Sequence, residues 1–384
     1  MKIPNLRFPE FKVEWKEKYL GKTCVIKTGN RDTQNRISNG LYPFYVRSNT
    51  VERINSFSYD GEAILTSGDG VGVGKNFHYV NGKFDYHQRV YCLQQFEKDY
   101  SGSFIYHVFA EKFNKRVMRL SAKNSVDSVR MDMISQMSIS FPSLEEQQKI
   151  ASFLTAVDEK INLLQKKKQG LEQYKKGVMQ QLFSQKLRFK KEDGNDYPDW
   201  EEKKLGDFIL KFIVPMRDKP KDLKGNIPWC RIEDFNGKYI SKSKTNQGVT
   251  EDVVRDMNLK IYPINTLLVS CSANLGFCAI TKKELITNQT FIGLVPNQDK
   301  INIDYLYHVM KLSSRRLNVL SSGTTISYLS RNEFENFKIH YPTITEQTKI
   351  ANFIDTLDSK IELVNTQITN TQEFKKGLLQ QMFV

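Results

Sequence analysis

The sequence predicts a duplicated fold in which two mixed α/β domains alternate with two long helices. Three observations support it: one segment occurs twice, its apolar residues follow heptad spacing, and short strand-like and helix-like patterns fill the rest. The predicted domains cover residues 1–141 and 187–341, and the predicted helices cover 142–186 and 342–384. We expect the helices to pair as an antiparallel coiled coil with pseudo-twofold symmetry, because a folded domain separates them along the chain.

The repeat is clearest at the ends of each copy. Residues 141–183 align without a gap on 341–383, at an offset of 200, whereas Leu6-Arg7-Phe8 recurs at 187–189 and Trp15 recurs as Trp200, at offsets near 185. Roughly fifteen residues were therefore gained inside the second copy. Shared ends around divergent interiors favour a common role for the ends and different ligands for the interiors, although neutral drift is the alternative.

Each repeated segment carries the signals of a helix that pairs with another helix. Ser143 with Glu146, and Thr343 with Glu346, have the spacing of a capping box just after a proline. Apolar residues then recur at alternating steps of four and three, which is the spacing of a helix-pairing seam. The predicted seam residues are Ile150, Leu154, Val157, Ile161 and Leu164 in the first copy and Ile350, Ile354, Leu357, Ile361 and Val364 in the second.

The interiors show the patterns of a mixed α/β domain. Strands are predicted at 63–65, 90–93 and 139 in the first copy, and at 267–269, 291–294 and 339 in the second. Helices with basic faces are predicted at 104–120 and 305–320. The two interiors are therefore expected to share one fold.

Composition narrows the classes of function. The formal net charge of +14 favours a polyanionic partner, although charge alone does not separate DNA from RNA or a membrane surface. The five cysteines are odd in number and form no C-x-x-C pair, so we interpret them as reduced thiols. The sequence contains neither a signal peptide nor an apolar run long enough to span a bilayer, which indicates a cytoplasmic protein without a membrane partner.

The motifs of catalysis are missing. Residues 67–75, with the sequence SGDGVGVGK, resemble a phosphate loop. They place Asp69 where that motif needs a glycine, and Asn76 follows where it needs a hydroxyl. We interpret this stretch as a glycine-rich turn that lets the backbone at Gly70 approach DNA. The chain has no Pro-Pro dipeptide for an adenine methyltransferase loop, and no H-E-x-x-H or G-x-S-x-G motif. No catalytic residue, no metal ligand and no bound cofactor is predicted.

Polar side chains that suit base recognition lie in both interiors. Arginine pairs with guanine, and asparagine or glutamine with adenine, through two hydrogen bonds in the major groove, while arginine also binds phosphates. Besides Gly70, the candidate DNA-binding residues are Arg31, Gln34, Asn35, Arg36, Asn39 and Arg47 in the first copy and Arg231, Asn274, Asn288 and Gln289 in the second. Two alternatives stay open: an enzyme that binds a nucleotide at the glycine-rich loop, and a bivalent RNA-binding scaffold.

Several motifs together resemble a known family. Pro-x-x-x-Glu-Gln-x-x-Ile at 142–150 and 342–350, Lys-Lys-Gly-x-x-Gln-Gln at 175–181 and 375–381, and the recurring Leu-Arg-Phe resemble the specificity subunit of type I restriction-modification systems. The resemblance implies a non-catalytic subunit whose two target-recognition domains each read half of a split, asymmetric site in double-stranded DNA. It also implies two methyltransferase subunits that bring S-adenosylmethionine, and restriction-translocase subunits that use ATP and magnesium.

Overall fold

The computed structural model describes residues 4–120, 128–216, 219–272, 275–321 and 328–383. The chain falls into two compact units, one of residues 1–169 with 363–384 and one of residues 170–362. The domain and first helix at the start of the chain comprise β1 (Lys16–Tyr19), β2 (Val25–Thr28), β3 (Tyr42–Tyr45), β4 (Val51–Ile54), β5 (Tyr59–Ser67), β6 (Phe77–Tyr86), β7 (Val90–Gln94), α1 (Gly102–Leu120), α2 (Met131–Ser135), β8 (Ser138–Phe141) and α3 (Leu144–Phe183).

The second domain and helix comprise β9 (Glu201–Lys204), β10 (Ile209–Ile213), β11 (Ile227–Cys230), β12 (Tyr239–Ile240), β13 (Gly248–Val249), α4 (Glu251–Asp256), β14 (Leu267–Ser270), β15 (Cys278–Thr281), β16 (Ile286–Thr287), β17 (Phe291–Pro296), α5 (Ile303–Leu312), α6 (Ser314–Ser321), α7 (Arg331–Asn336), β18 (Lys338–Tyr341) and α8 (Ile344–Met382). Two α/β domains, each followed by a long helix, confirm the predicted fold class.

The two domains share the centre of their sheets. In the first domain the strand order is β2-β7-β5-β6-β3-β4, and in the second it is β10-β17-β14-β15-β12. The first four strands of each order correspond, and all their mutual pairings are antiparallel. The parallel pairing of β3 with the end of β6 recurs as the pairing of β11 with β16, but in the second domain β15 and β16 are separate strands and β11 and β16 belong to a three-stranded sheet. The two domains thus differ in the continuity of this edge rather than in its strand pairing.

One predicted helix is wrong in its extent. The sequence pattern indicates a single helix over 305–320, but the chain forms α5 and α6 with Ser313 between them. The Ser314 hydroxyl donates to the Leu275 carbonyl at 2.6 Å, and a Cβ built on Gly276 would lie 2.6 Å from the Ser314 Cα. The loop before β15 therefore packs directly against the break, a tertiary contact that apolar periodicity does not encode.

The long helices first pack on their own domains. Ile150 and Leu154 of α3 belong to the apolar core that contains Trp15 and Phe104 of the first domain, and Ile350 and Ile354 of α8 belong to the corresponding core of the second. Of the other predicted seam residues, Val157, Ile161, Leu357 and Val364 are buried, and Leu164 and Ile361 are partly buried. The seam therefore anchors each helix to its domain near the helix start.

Further along, α3 and α8 pair with each other in antiparallel order. Three side-chain contacts, in order along α3, are Lys375 with Asp158, Lys168 with Asn365, and Lys175 with Asp358. Each step forward along α3 is matched by the same step back along α8. Moreover, the first and third pairs are equivalent under the 200-residue repeat, because each joins the same lysine position to the same aspartate position. The same lysine–aspartate contact is therefore made once in each unit with the roles of the two helices exchanged, as the duplication predicts.

Candidate nucleic-acid interface

The glycine-rich loop of the first domain joins two antiparallel strands. It runs from the end of β5 at Ser67 to the start of β6 at Phe77. Gly70 has a φ of +77°, a conformation that favours glycine, and a Cβ added there would meet nothing within 4 Å. A phosphate loop leads into the N-terminus of a helix, whereas this loop leads into a strand. The geometry therefore supports a hairpin turn and gives the nucleotide alternative no support.

Two arginines meet on one carboxylate at the base of this loop. Arg47 donates through Nη1 to Asp69 Oδ1 at 2.9 Å, and Arg89 Nε lies 3.8 Å from Asp69 Oδ2. The Asn76 amide, which is buried, donates to the Arg47 carbonyl at 3.2 Å and to the Ser67 hydroxyl at 3.3 Å. Hydrogen bonds from Arg47 and from Asn76 thus fix the base of the loop.

Arg31 lies beside the same cluster of loops. Its Nε donates to the buried Asp85 carboxylate at 3.2 Å, and its carbonyl accepts the Gln88 backbone N–H at 2.8 Å. The Gln88 side chain donates to Asp32 at 3.2 Å. Of the candidates from the sequence, Arg31, Arg47 and Gly70 are therefore brought together.

The other candidates of this domain lie on the neighbouring segment. Asn35 caps the 3-10 turn at Thr33–Asn35 by accepting the Asp32 backbone N–H at 2.7 Å. Arg36 is exposed and donates to Glu52 of β4 at 3.3 Å. Gln34 and Asn39 are exposed. Asn35 and Arg36 thus have structural partners, while the side chains of Gln34 and Asn39 face solvent.

The second domain builds the same loop cluster with other residues. The Gly68 N–H donates to the Arg89 carbonyl at 2.8 Å, and the Cys271 N–H donates to the Thr290 carbonyl at 2.9 Å. The carbonyls of Gly68 and Cys271 then accept the backbone N–H of Val129 and Leu329 at 2.7 and 2.8 Å. The loop after β14 therefore corresponds to the glycine-rich loop, and Thr290 corresponds to Arg89.

Three candidates of the second domain can be placed in this cluster or near it. Asn288 and Gln289 correspond to His87 and Gln88, and the Asn288 side chain accepts the Thr290 hydroxyl at 2.7 Å. Arg231, just after β11, donates to Gln247 at 2.5 Å. Asn274 falls in the loop after β14, outside the described residues.

Sequence reasoning missed the segment His87-Gln88-Arg89. Burial and the nearby positive charge of Arg47 lower the pKa of His87, so the ring is neutral near pH 7 and its Nδ1 accepts the Arg89 backbone N–H at 2.9 Å. His87 thereby holds the turn that carries Gln88 and Arg89. A usable signal existed in the sequence: both copies place glutamine two residues before the strand that starts at Val90 or Phe291, and in the first copy arginine follows it.

An arginine–glutamate ion pair occurs at the equivalent place in each unit. Arg7 donates to Glu146 through two nitrogens at 2.7 and 2.8 Å, and Arg188 donates to Glu346 at 3.2 and 2.9 Å. The backbone N–H of Leu6 bonds to Gln381, as that of Leu187 bonds to Gln181. The Ser143 and Thr343 hydroxyls do accept helix N–H groups, as a capping box requires, but the paired glutamates bind the arginine of Leu-Arg-Phe instead.

One group of side chains in the described residues has the proximity of metal ligands: His308, Asp355 and Asp358. Lys238 donates to both carboxylate oxygens of Asp355 at 2.7 and 2.6 Å, and Lys175 donates to Asp358. The ammonium groups already neutralise these carboxylates, so we interpret the group as a structural ion-pair network that joins α3 and α8 to the second domain.

The family of the chain follows from comparison with known proteins. Residues 12–173 and 197–372 each match the model of the type I restriction modification DNA specificity domain. The chain belongs to the type I restriction-modification DNA specificity family. It therefore carries two copies of the specificity domain, which agrees with the duplication in its sequence and fold.

Individual members of the specificity family are similar over different lengths. The type I restriction enzyme MjaIX specificity subunit of Methanocaldococcus jannaschii is 32% identical over 213 residues, or 53% of this chain and 49% of that subunit, so the chain spans about half the length of this relative. The EcoDI specificity subunit of Escherichia coli is 22% identical over 96% of this chain and 87% of its own length. A crystal structure of the S subunit from M. genitalium has a TM-score of 0.69 at 16% identity, covering 100% of this chain and 99% of that one, which shows the same fold.

Across the part of the chain that the structure describes, no helix of this specificity-family member is long and apolar enough to cross a membrane.

Proposed function

We propose that this chain is a non-catalytic, DNA-reading subunit of a type I restriction-modification complex. Its domains at 1–141 and 187–341 each read one half of a split, asymmetric site in double-stranded DNA. The observation that carries the proposal is the contrast within one framework: equivalent loop positions hold Asp69 and Arg89 in one domain but Ser272 and Thr290 in the other. Different chemistry at equivalent positions is what two different half-sites require.

Methylation and restriction then belong to partner subunits. Two methyltransferase subunits would bring S-adenosylmethionine, and restriction-translocase subunits would use ATP and magnesium. This chain would supply the DNA sequence specificity, and its helices at 142–186 and 342–384 would bind the partner subunits.

An exposed apolar stripe on each helix suits the docking of the methyltransferase subunits. Leu163 and Tyr174 of α3 are 66% and 55% exposed, and their repeat equivalents Leu363 and Phe374 of α8 are 60% and 55% exposed. Eleven residues are close to three helical turns, so the members of each pair share a face. Two equivalent stripes offer two equivalent docking sites, as two copies of one partner need.

Glycines beside these stripes favour close approach by another helix. A Cβ built on Gly170, Gly177 or Gly377 would meet nothing within 4 Å. A glycine inside a helix costs about 1 kcal/mol relative to alanine, and nothing in the described structure uses the space. A partner helix that packs over the stripe would use it, because small residues let two helix backbones approach.

Exchanging residues 16–140 for the corresponding interior of a related subunit tests the assignment of half-sites. We expect methylated-adenine mapping of the complete complex to show one changed half-site and one retained half-site. A change in both halves, or in neither, would contradict independent reading.

In parallel, the purified chain should transfer no methyl group from S-adenosylmethionine to duplex DNA, and duplex DNA should outcompete RNA for binding. Preference for RNA would favour the scaffold alternative.

Leu163→Glu tests the docking surface, with Leu210→Glu as the matched control. Both leucines are exposed to nearly the same extent, 66% and 68%, but Leu210 lies on β10. We expect Leu163→Glu to reduce co-purification of the methyltransferase subunits and Leu210→Glu to leave it unchanged. Equal behaviour of the two variants would refute docking on the stripe.

A further inference from the structure

The tip of the glycine-rich loop carries the most exposed large apolar side chain among the described residues. Val71 is 96% exposed, between Gly70 and Gly72. An apolar side chain standing in water at a narrow glycine tip gains free energy only when another surface covers it. The floor of a DNA groove offers such a surface, including the methyl group of thymine.

The base of this loop presents a forked donor. The Nε of Arg89 lies 3.8 Å from Asp69 Oδ2, and the Arg89 side chain is 65% exposed, so its guanidinium group is accessible to a ligand. Two parallel N–H groups of an arginine match the O6 and N7 acceptors of guanine in the major groove. Electrostatic attraction to the Asp69 carboxylate favours Arg89 rotamers that keep the guanidinium group beside the loop.

Arg47 keeps Asp69 in this role. Its shorter contact, at 2.9 Å, balances the negative charge of the carboxylate, which would otherwise repel the DNA phosphates. Asn76 fixes the Arg47 backbone to the other side of the loop. The backbone that carries Arg47 is therefore fixed by a buried side chain.

Building on the DNA-reading role proposed above, we propose that Arg89 reads a guanine in the half-site of the first domain and that Asp69 is its positioning residue. The second domain has Thr290 and Ser272 at the equivalent places. Its half-site is thus read without an arginine at this position, which makes the two half-sites chemically different.

The test uses the complete complex and methylated-adenine mapping with Arg89→Ala, Asp69→Asn and the control Arg255→Ala. Arg255 is also an exposed arginine paired with a carboxylate, Asp252, but it lies on α4 of the second domain. We expect Arg89→Ala to lower the preference for guanine at one position by roughly 5- to 150-fold, with the other half-site unchanged. Asp69→Asn should lower the preference at the same position by a smaller factor, an effect that a merely structural role would not confine to one base.

A DNA-side measurement covers variants that lose methylation. Replacing each guanine of the first half-site by 7-deazaguanine removes the N7 acceptor, so one replacement should weaken binding by the wild-type complex and have no effect on the Arg89→Ala complex. The inference is overturned if no such replacement weakens binding, if both complexes respond equally, or if the first half-site contains no guanine. Failure of the proposed function would look different, because the exchange of residues 16–140 would then change both half-sites or neither.

Discussion

Lengthening both paired helices by one heptad would show whether they set the spacing between the half-sites. The insertion points are after Gly170 in α3 and after Glu362 in α8, which lie between the second and third contacts of the helix pair. Because the helices are antiparallel, seven extra residues in each preserve the heptad seam on both sides of the insertion. The paired lysines and aspartates therefore keep their partners.

The expected change follows from helix geometry. Seven residues add about 10.5 Å at a rise of 1.5 Å and turn the helix to within about 20° of two full turns. Three base pairs of B-DNA add about 10.2 Å. We expect unchanged half-sites separated by about three more base pairs. Three base pairs also add roughly 105° of twist, from about 10 to 10.5 base pairs per turn, so methylation should be slower than in the parent complex.

Methylated-adenine mapping in cells that carry the lengthened subunit would measure the spacing directly. An active double insertion that keeps the original spacing would refute the reasoning. A seven-residue insertion in α3 alone is the control, because it separates Lys175 from Asp358 and shifts the seam by about 10.5 Å. It should lose activity, and a spacing change equal to that of the double insertion would show that helix pairing is not what sets the distance.

Two further predictions concern stability. Glu146→Gln leaves the nearly buried Arg7 without its carboxylate and should lower the free energy of unfolding by roughly 3 kcal/mol, the lower end for breaking a buried ion pair. The control Glu10→Gln, at the exposed pair with Lys149, should leave the melting temperature unchanged. Equal effects of the two variants would contradict the anchoring role of Glu146. Burial lowers the pKa of His107 to about 4, so between about pH 6.5 and 4 the unfolded chain binds a proton that the folded chain does not, and the free energy of unfolding should decrease by up to about 3 kcal/mol as the pH is lowered through this window. Denaturation of His107→Gln at several pH values should show a smaller decrease. An unchanged pH dependence would refute this prediction.

Local patterns were enough for the features that depend on spacing along the chain. Heptad spacing and an intervening domain predicted two paired antiparallel helices, and the structure confirms them through Lys375 with Asp158 and Lys175 with Asp358. The same logic failed at 305–320, where spacing indicates one helix and the loop at Gly276 packs against a break. Spacing reports which face of an element is apolar, not what lies against it.

The loop cluster of the first domain shows how far the sequence alone can identify site residues. Side-chain chemistry points to Arg31 and Arg47, and the glycine-rich turn points to Gly70, whereas no motif in the sequence marks Arg89. Its relation to Asp69 depends on strands β5, β6 and β7 lying side by side, which brings residues twenty positions apart into contact.

The sequence by itself determined the duplication, the pairing helices and the family, since each is written as a repeat or a period over contiguous residues. Only the tertiary structure decided that the glutamates of the helix starts bind Arg7 and Arg188, and that Asp69 joins Arg47 to Arg89. Such partners are selected by distance in space, because electrostatic attraction and hydrogen bonding act over a few ångströms whatever the separation along the chain.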